Sequence, residues 1–248
     1  MPGERLRALI VSDIHSNLEA LDAVIADAGR RGGFDCVWCL GDVVGYGPDP
    51  SECLRLLRDF DLVTVAGNHD YAAAGVIDAS DFNGAAFAAI RWTAGQLDAA
   101  EKRFLSELPA VGLRPPFTLV HGSLRDPIVE YLMHPAQAAA TFELLTTSYC
   151  LVGHSHYPFI CREMAPVPMF QPLPTVEAAL LDKQRCIVNP GSVGQPRDRD
   201  ARASYAVFDD DKAAIEHYRV TYDITATQGK MRQAGLPQYL IDRLDHGV

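Results

Sequence analysis

Carboxylate, amide and imidazole side chains recur along this chain in compact groups: Asp13-x-His15, Asp42, Asn68-His69-Asp70, His121 and His154-x-His156. Nitrogen and oxygen donors without thiolate suit Mn, Fe, Zn, Co or Ni better than Ca. Each group follows directly on a short apolar run. Residues 6–11 lead into Ser12-Asp13-Ile14-His15, 36–40 into Gly41-Asp42, and 62–66 into Gly67-Asn68-His69-Asp70; 117–120 lead into His121, and 149–152 into Gly153-His154-Ser155-His156. Taken singly, an Asp after a strand caps the next helix and a His is a hydrogen-bonded core or surface residue. Five coincident endings would crowd carboxylates and imidazoles together with no cation to hold them, which is costly. A metal cluster built at strand ends is the simpler expectation.

Short apolar runs rich in β-branched residues and closed by turn formers are expected to be buried strands. In open α/β sheets, ligands gather where strands end and loops leave the rigid scaffold. Helical spacing over residues 18–31, closed by Gly32-Gly33, and over 50–60 after a Pro-rich turn implies βαβ units with right-handed crossovers. Residues 81–108 read as one or two helices and 135–147 as another. After His156 the texture changes: 157–174 is rich in Pro, and 185–188, 203–208 and 215–221 read as strands of a second, mostly antiparallel sheet. Residues 223–246 read as helical. The Pro-rich stretch is expected to shade the pocket or to cover a sheet edge. Asn189-Pro190-Gly191-Ser192-Val193-Gly194 lacks the Gly-Lys-Ser/Thr ending of a nucleotide P-loop, and is expected to be a tight turn near the site.

With 248 residues, 48% hydrophobic and 22% charged, the chain can fill a sizeable core, and a single domain over 1–248 is expected. A formal net charge of -10 argues against a nucleic-acid partner held by a broad basic surface. No stretch has the length of a membrane span or the pattern of a signal peptide, so a cytoplasmic location is expected. The six cysteines mostly sit inside apolar runs, as small buried hydrophobes do. Cys36 and Cys39 have redox or zinc spacing, yet within a strand they would point to opposite faces.

The ordered set Asp13-x-His15, Gly41-Asp42, Gly67-Asn68-His69-Asp70, His121 and Gly153-His154-x-His156 closely resembles the calcineurin-like metallophosphoesterase family, over residues 13–156. His121-Gly122-Ser123 with Asp126-Pro127 and Glu130-Tyr131, and Asn189-Pro190-Gly191-Ser192, are similar to its bacterial branch. The resemblance implies an α/β fold, a four-layer αββα sandwich of two mixed β-sheets face to face flanked by helices. It also implies a binuclear centre of two divalent ions, with Asp13, His15 and His156 on one, Asn68, His121 and His154 on the other, and Asp42 bridging. That allocation suits the donors: a carboxylate can span ions about 3.5–4 Å apart, while imidazole and amide complete each shell without adding charge. The excess positive charge would attract phosphate and lower the pKa of a bridging water, giving a hydroxide placed to attack phosphorus. By resemblance, His69 contacts phosphate as general acid, with Asp70 orienting it and favouring its charged form. A structural role beside the ligands is the bland alternative for His69.

Protein phosphatases of this family carry arginines just after the bridging Asp and after the Asn-His pair. Here the corresponding segments, 41–47 and 67–71, contain none. A small phosphodiester or nucleotide-type substrate is therefore preferred over a phosphomonoester or phosphoprotein. Arg125, Arg197, Arg199 and Arg202 are candidate phosphate contacts from loops, since Arg matches phosphate bidentately. Tyr46 and Tyr71 are candidate pocket residues that simple packing explains equally well. A non-catalytic interaction scaffold on the same fold is the rival from another class, disfavoured because no ligand position is lost.

Overall fold

The computed structural model describes residues 6–175, 177–182 and 184–248. The first third alternates strand and helix: β1 (Arg7–Val11), α1 (Leu18–Arg30), β2 (Cys36–Cys39), α2 (Pro50–Leu57), β3 (Leu62–Thr64) and α3 (Asn68–Ala74). Helices α4 (Gly84–Gln96) and α5 (Ala99–Ser106) follow, then β4 (Val111–Arg114), β5 (Phe117–Val120), α6 (Pro135–Leu144) and β6 (Tyr149–Leu151). The remainder is β7 (Phe159–Arg162), β8 (Met169–Pro172), β9 (Ala179–Leu180), β10 (Cys186–Asn189), β11 (Ala203–Asp209), β12 (Ala214–Val220), α7 (Ile224–Gln233) and α8 (Gln238–Asp242), closed by a short 3-10 turn at Arg243–Asp245. No helix among the described residues is long and apolar enough to cross a membrane.

The strands form two mixed six-stranded sheets, ordered β3-β2-β1-β11-β12-β9 and β4-β5-β6-β10-β7-β8. Alternation along each strand sorts side chains into layers. Ala8 and Ile10 of β1 and Trp38 of β2 meet Phe117 and Leu119 of β5 and Val188 of β10, so the sheets pack face to face. Across that interior Trp38 lies 5.3 Å from Phe117, ring centre to ring centre, and within its own sheet 5.9 Å from Phe208. Leu9 and Val11 point the other way, into Leu21 and Val24 of α1 and Leu54 of α2. On the far side, Cys150 and Ile187 pack against Ala138 and Phe142 of α6. The layers are therefore helix, sheet, sheet, helix.

Two expectations change in detail. The strands after His156 do not form a sheet of their own: β11 pairs antiparallel with β1 and extends the first sheet, while β10 pairs parallel with β6 in the second. All seven residues of β11 are buried, as a central strand requires. Of the two places expected for the Pro-rich stretch, the sheet edge is the one it takes: it forms the β7–β8 hairpin at the edge of the second sheet and does not line the pocket. The C-terminal helical stretch breaks at Gly235, whose φ of +68° ends α7 before Pro237. Cys36 faces the sandwich interior and Cys39 the helices, as strand alternation dictates. Burial pushes the Cys39 thiol up to about 12, which leaves it unreactive.

Candidate metal centre

Because β1, β2 and β3 run parallel, as do β5, β6 and β10, each sheet delivers its strand ends to one side. Asp13, His15 and His156 meet there, with His156 Nε2 3.2 Å from Asp13 Oδ1 and 3.3 Å from His15 Nε2. Beside them, His121 Nε2 lies 3.3 Å from Asp42 Oδ2, 3.1 Å from His154 Nδ1 and 3.2 Å from Asn68 Oδ1. Asp42 Oδ2 is also 3.7 Å from His15 Nε2, so one carboxylate oxygen reaches both groups. All seven residues are buried.

Donor chemistry decides what such a cluster can hold. His15 Nδ1, His121 Nδ1, His154 Nε2 and His156 Nδ1 face the carbonyls of Val44, Leu40, Val129 and Gln195. A carbonyl only accepts, so each outer nitrogen carries a proton, and a ring that holds no second proton turns a bare lone pair inward. Asp13 Oδ2 accepts from Ser12 Oγ at 2.6 Å and from the His154 main-chain N–H at 3.1 Å, while Asp13 Oδ1 is buried with no donor among the described residues. Inward lone pairs and anionic oxygens this close repel one another unless cations lie between them, and carbonyl-anchored imidazoles are how proteins aim metal ligands. These residues fit divalent ions.

The backbone is strained to achieve this. Asp13, His15, Asp42, His154 and His156 all take left-handed φ values between 49° and 64°. For residues other than Gly this costs of order 1–3 kcal/mol each and is tolerated where function demands it. Gly67 permits close approach of the bridging candidate, since a Cβ there would stand 2.0 Å from Asp42 Oδ1. Gly45, at φ +95°, similarly leaves room for His69, because its Cβ would meet His69 Nδ1 at 2.4 Å.

Electrostatics follow from burial and mutual proximity. Burial raises the Asp13 and Asp42 carboxyls, but His156 beside Asp13 and His121 beside Asp42 outweigh it and hold both well below the ordinary range. Burial lowers His121, yet the Asp42 charge and hydrogen bond carry it up to about 9. Burial takes His154 down to about 3. In the metal-free site His121 is thus the proton holder, and a divalent ion must displace that proton. Apparent affinity for Mn²⁺ is therefore expected to climb as pH rises from 6.5 towards 9, with proton release measured by calorimetry in buffers of different ionisation heat. At a hundredfold excess over Kd the ion adds about 2.7 kcal/mol, raising the thermal midpoint by roughly 5–10 °C. A pH-independent affinity would contradict the account.

The remaining site residues divide. Asp70 accepts from the N–H groups of Asp42 at 2.8 Å, Gly67 at 3.0 Å and Val44 at 3.1 Å, and bonds no atom of His69. The expected Asp70–His69 contact is absent: Asp70 ties two ligand loops together, and burial and the Asp42 charge push its carboxyl up to about 7. His69 is 4% exposed, with its Nδ1 unpartnered and its ring 4.3 Å from Tyr46, 4.8 Å from His15 and 5.1 Å from Phe82. Burial lowers it to about 4 despite Asp42, so the resting ring is neutral rather than charged. His69 also lies within reach of His15 and Asp42 as a third potential metal triad.

A cavity of about 400 Å³ opens over Asp42, Asn68, His69, His154 and His156, walled by Tyr46, Phe82, Val129, Tyr131 and Arg197. A larger groove, about 1120 Å³, runs beside α6; its charged lining is Glu143 and the mutually paired Glu163 and Arg185, with none of the metal-ligand candidates. Arg197 Nη2 donates to Gln195 Oε1 at 3.3 Å, and Arg197 has no carboxylate partner among the described residues. Arg125 instead pairs with Glu130, bracing the loop that presents Val129 to His154. Arg202 pairs with Asp200, Arg199 is exposed, and neither lines the cavity. Tyr46 lines it, whereas the Tyr71 hydroxyl donates to the Leu108 carbonyl. The 189–194 turn does more than connect strands: Asn189 Nδ2 donates to the Gly153 carbonyl and Ser192 Oγ to the Asp13 carbonyl, locking two ligand loops together.

Face-to-face sheets whose strand ends converge on buried Asp and His clusters define a metal-dependent hydrolase of phosphate esters. The model of the calcineurin-like phosphoesterase superfamily domain matches residues 6–213, and the chain belongs to that family. Across 99% of this chain and 100% of the other, the structure is similar to a metallophosphoesterase from Sphaerobacter thermophilus, with a TM-score of 0.87 and 44% identity. An uncharacterized protein of Methanocaldococcus jannaschii is 37% identical over 95% of this chain and 96% of its own length. A symmetrical bis(5'-nucleosyl)-tetraphosphatase of Stutzerimonas stutzeri is 39% identical over 62 residues, which is 24% of this chain and 22% of that one. The protein is a metallophosphoesterase.

Proposed function

We propose that the protein hydrolyses a nucleotide-type phosphoric ester, a diester in preference to a monoester, at a two-metal centre. The observation that carries this reading is the ring of inward lone pairs and carboxylate oxygens opening onto a cavity whose guanidinium, that of Arg197, has no carboxylate partner among the described residues. Asp13, His15 and His156 would hold one ion, Asn68, His121 and His154 the other, with Asp42 between them. Ions there would lower the pKa of bound water and polarise the phosphoryl group. Mn, Fe, Zn, Co and Ni all suit the donors.

His69 is proposed as the acid rather than a ligand. The four proposed imidazole ligands each donate an outer N–H to a carbonyl, and His69 has no such anchor. Its neutral resting state suits a donor that gains proton affinity when an anionic phosphate arrives beside it. Arg197 and the Asn68 amide would grip the non-bridging oxygens; among the lining residues described, Arg197 supplies the single guanidinium. One such cation matches a diester monoanion better than a dianion, and the aromatic walls offer surface to organic substituents. The short stretch shared with a nucleosyl tetraphosphatase agrees with a nucleotide-type substrate.

The test is turnover by metal-loaded protein of bis(p-nitrophenyl) phosphate against p-nitrophenyl phosphate. Faster diester cleavage is expected. Faster monoester cleavage would reverse the substrate preference, and no turnover with any of the five metals would reject the hydrolytic reading.

A further inference from the structure

We propose that the wall beside His69, formed by Tyr46, Phe82 and the segment entering α4, is a leaving-group subsite built for a planar heteroaromatic ring. This rests on the hydrolase reading above and specifies its substrate: an ester whose departing alcohol carries a nucleobase. A group that protonates the leaving oxygen must stand next to it, so whatever flanks His69 touches the leaving group. Tyr46 and Phe82 flank it, with ring centres 4.3 and 5.1 Å away. Phe82 is only half-buried, and it lines the cavity. Phe82 packs on one side against the core clusters that hold α3 and α4, and what it leaves uncovered borders the cavity beside the proposed acid, where an apolar surface gains by being covered. Aromatic faces of this kind bind bases of any sequence by stacking.

The flanking polar groups sharpen the choice. Asn83 caps α4 by accepting from the Ala86 N–H at 3.0 Å with its Oδ1, which leaves its amide N–H groups to donate elsewhere. Asp81, on the other side of Phe82, lines the same cavity with an acceptor. A donor and an acceptor bracketing a ring face match the edge of a nucleobase rather than a plain phenyl or alkyl group. The cavity of about 400 Å³ has the size of a small-ligand site.

The experiment compares two esters with the same leaving oxygen, adenosine 5′-phosphate and ribose 5-phosphate, or their methyl diesters, on manganese-loaded protein. Non-hydrolysable phosphonate analogues of the pair are titrated by calorimetry in parallel. Wild type is expected to favour the base-bearing ester by about tenfold or more in kcat/KM. Phe82→Ala should lose about tenfold on that ester, mainly in KM, and under about twofold on the ribose ester, while Phe82→Trp restores the preference. Equal losses on both esters would mean that the ring only supports His69, and would overturn the proposal, as would a wild type indifferent to the base. If neither ester is hydrolysed with any metal, the p-nitrophenyl esters judge the hydrolase reading separately. The phosphonate pair then decides the wall: equal affinities overturn it, and a preference lost in Phe82→Ala upholds it.

Discussion

Asp42→Asn is expected to cut turnover by at least about a thousandfold and to abolish binding of at least one equivalent of manganese. The Asp42 carboxylate divides its oxygens between two tasks. Oδ1 accepts from the His69 N–H at 2.8 Å, and Oδ2 lies 3.3 Å from His121 and 3.7 Å from His15. An amide of the same size can satisfy only one of them. With its oxygen on the His69 N–H, its NH₂ points at the imidazole lone pairs; flipped, it sets donor against donor at His69. The metal-free protein should not lose stability in proportion. Burial and the Asp42 charge together raise Asp70, and removing that charge lets the Asp70 carboxyl fall back from about 7. The predicted signature is therefore a near-normal thermal midpoint without metal and no rise on adding manganese. A variant that still binds two equivalents and turns over would place the bridge elsewhere.

The strand ends that hold the cluster were legible because each parallel strand is a short apolar run stopped by a turn former, and burial on both faces demands such runs. Sheet membership was not. β11 finds its partner β1 almost two hundred residues away, and no local pattern distinguishes a strand inserted beside β1 from one in a separate sheet. The role expected of Asp70 failed for a geometric reason. Both Asp70 and His69 lie in α3, where adjacent side chains diverge around the helix, so Asp70 turns back to the loop amides while His69 faces the cavity. Arg197 and Arg199 are equivalent in sequence, and only the fold separates them. Arg199 takes a left-handed φ of 67° and is exposed, whereas Arg197 follows the loop that anchors His156. That loop leaves β10, a sixth strand end whose side chains resemble neither ligands nor a phosphate motif. Its contribution comes from the Gln195 carbonyl and the Asn189 and Ser192 side chains, and main-chain acceptors leave no trace in residue type.

His69→Ala is expected to keep both metals while slowing hydrolysis by roughly 10²–10⁴-fold, most severely for esters with poor leaving groups. Metal retention follows from which atom of His69 touches the bridge: the main-chain N–H donates to Asp42 Oδ1, and alanine preserves it. The ring itself reaches His15, Tyr46 and Phe82 by its faces and edges and leaves Nδ1 without a partner, so truncation removes packing but no ligand anchor. Dependence on leaving-group acidity separates an acid from a merely structural ring. A p-nitrophenolate departs without help, whereas an alkoxide requires a proton, so the variant should lose far more on an alkyl ester than on a p-nitrophenyl ester. Uniform losses on both would make His69 a packing residue. Loss of a metal equivalent would instead make it a ligand, drawing on the alternative grouping with His15 and Asp42, in which all three donor atoms lie within 4.8 Å of one another.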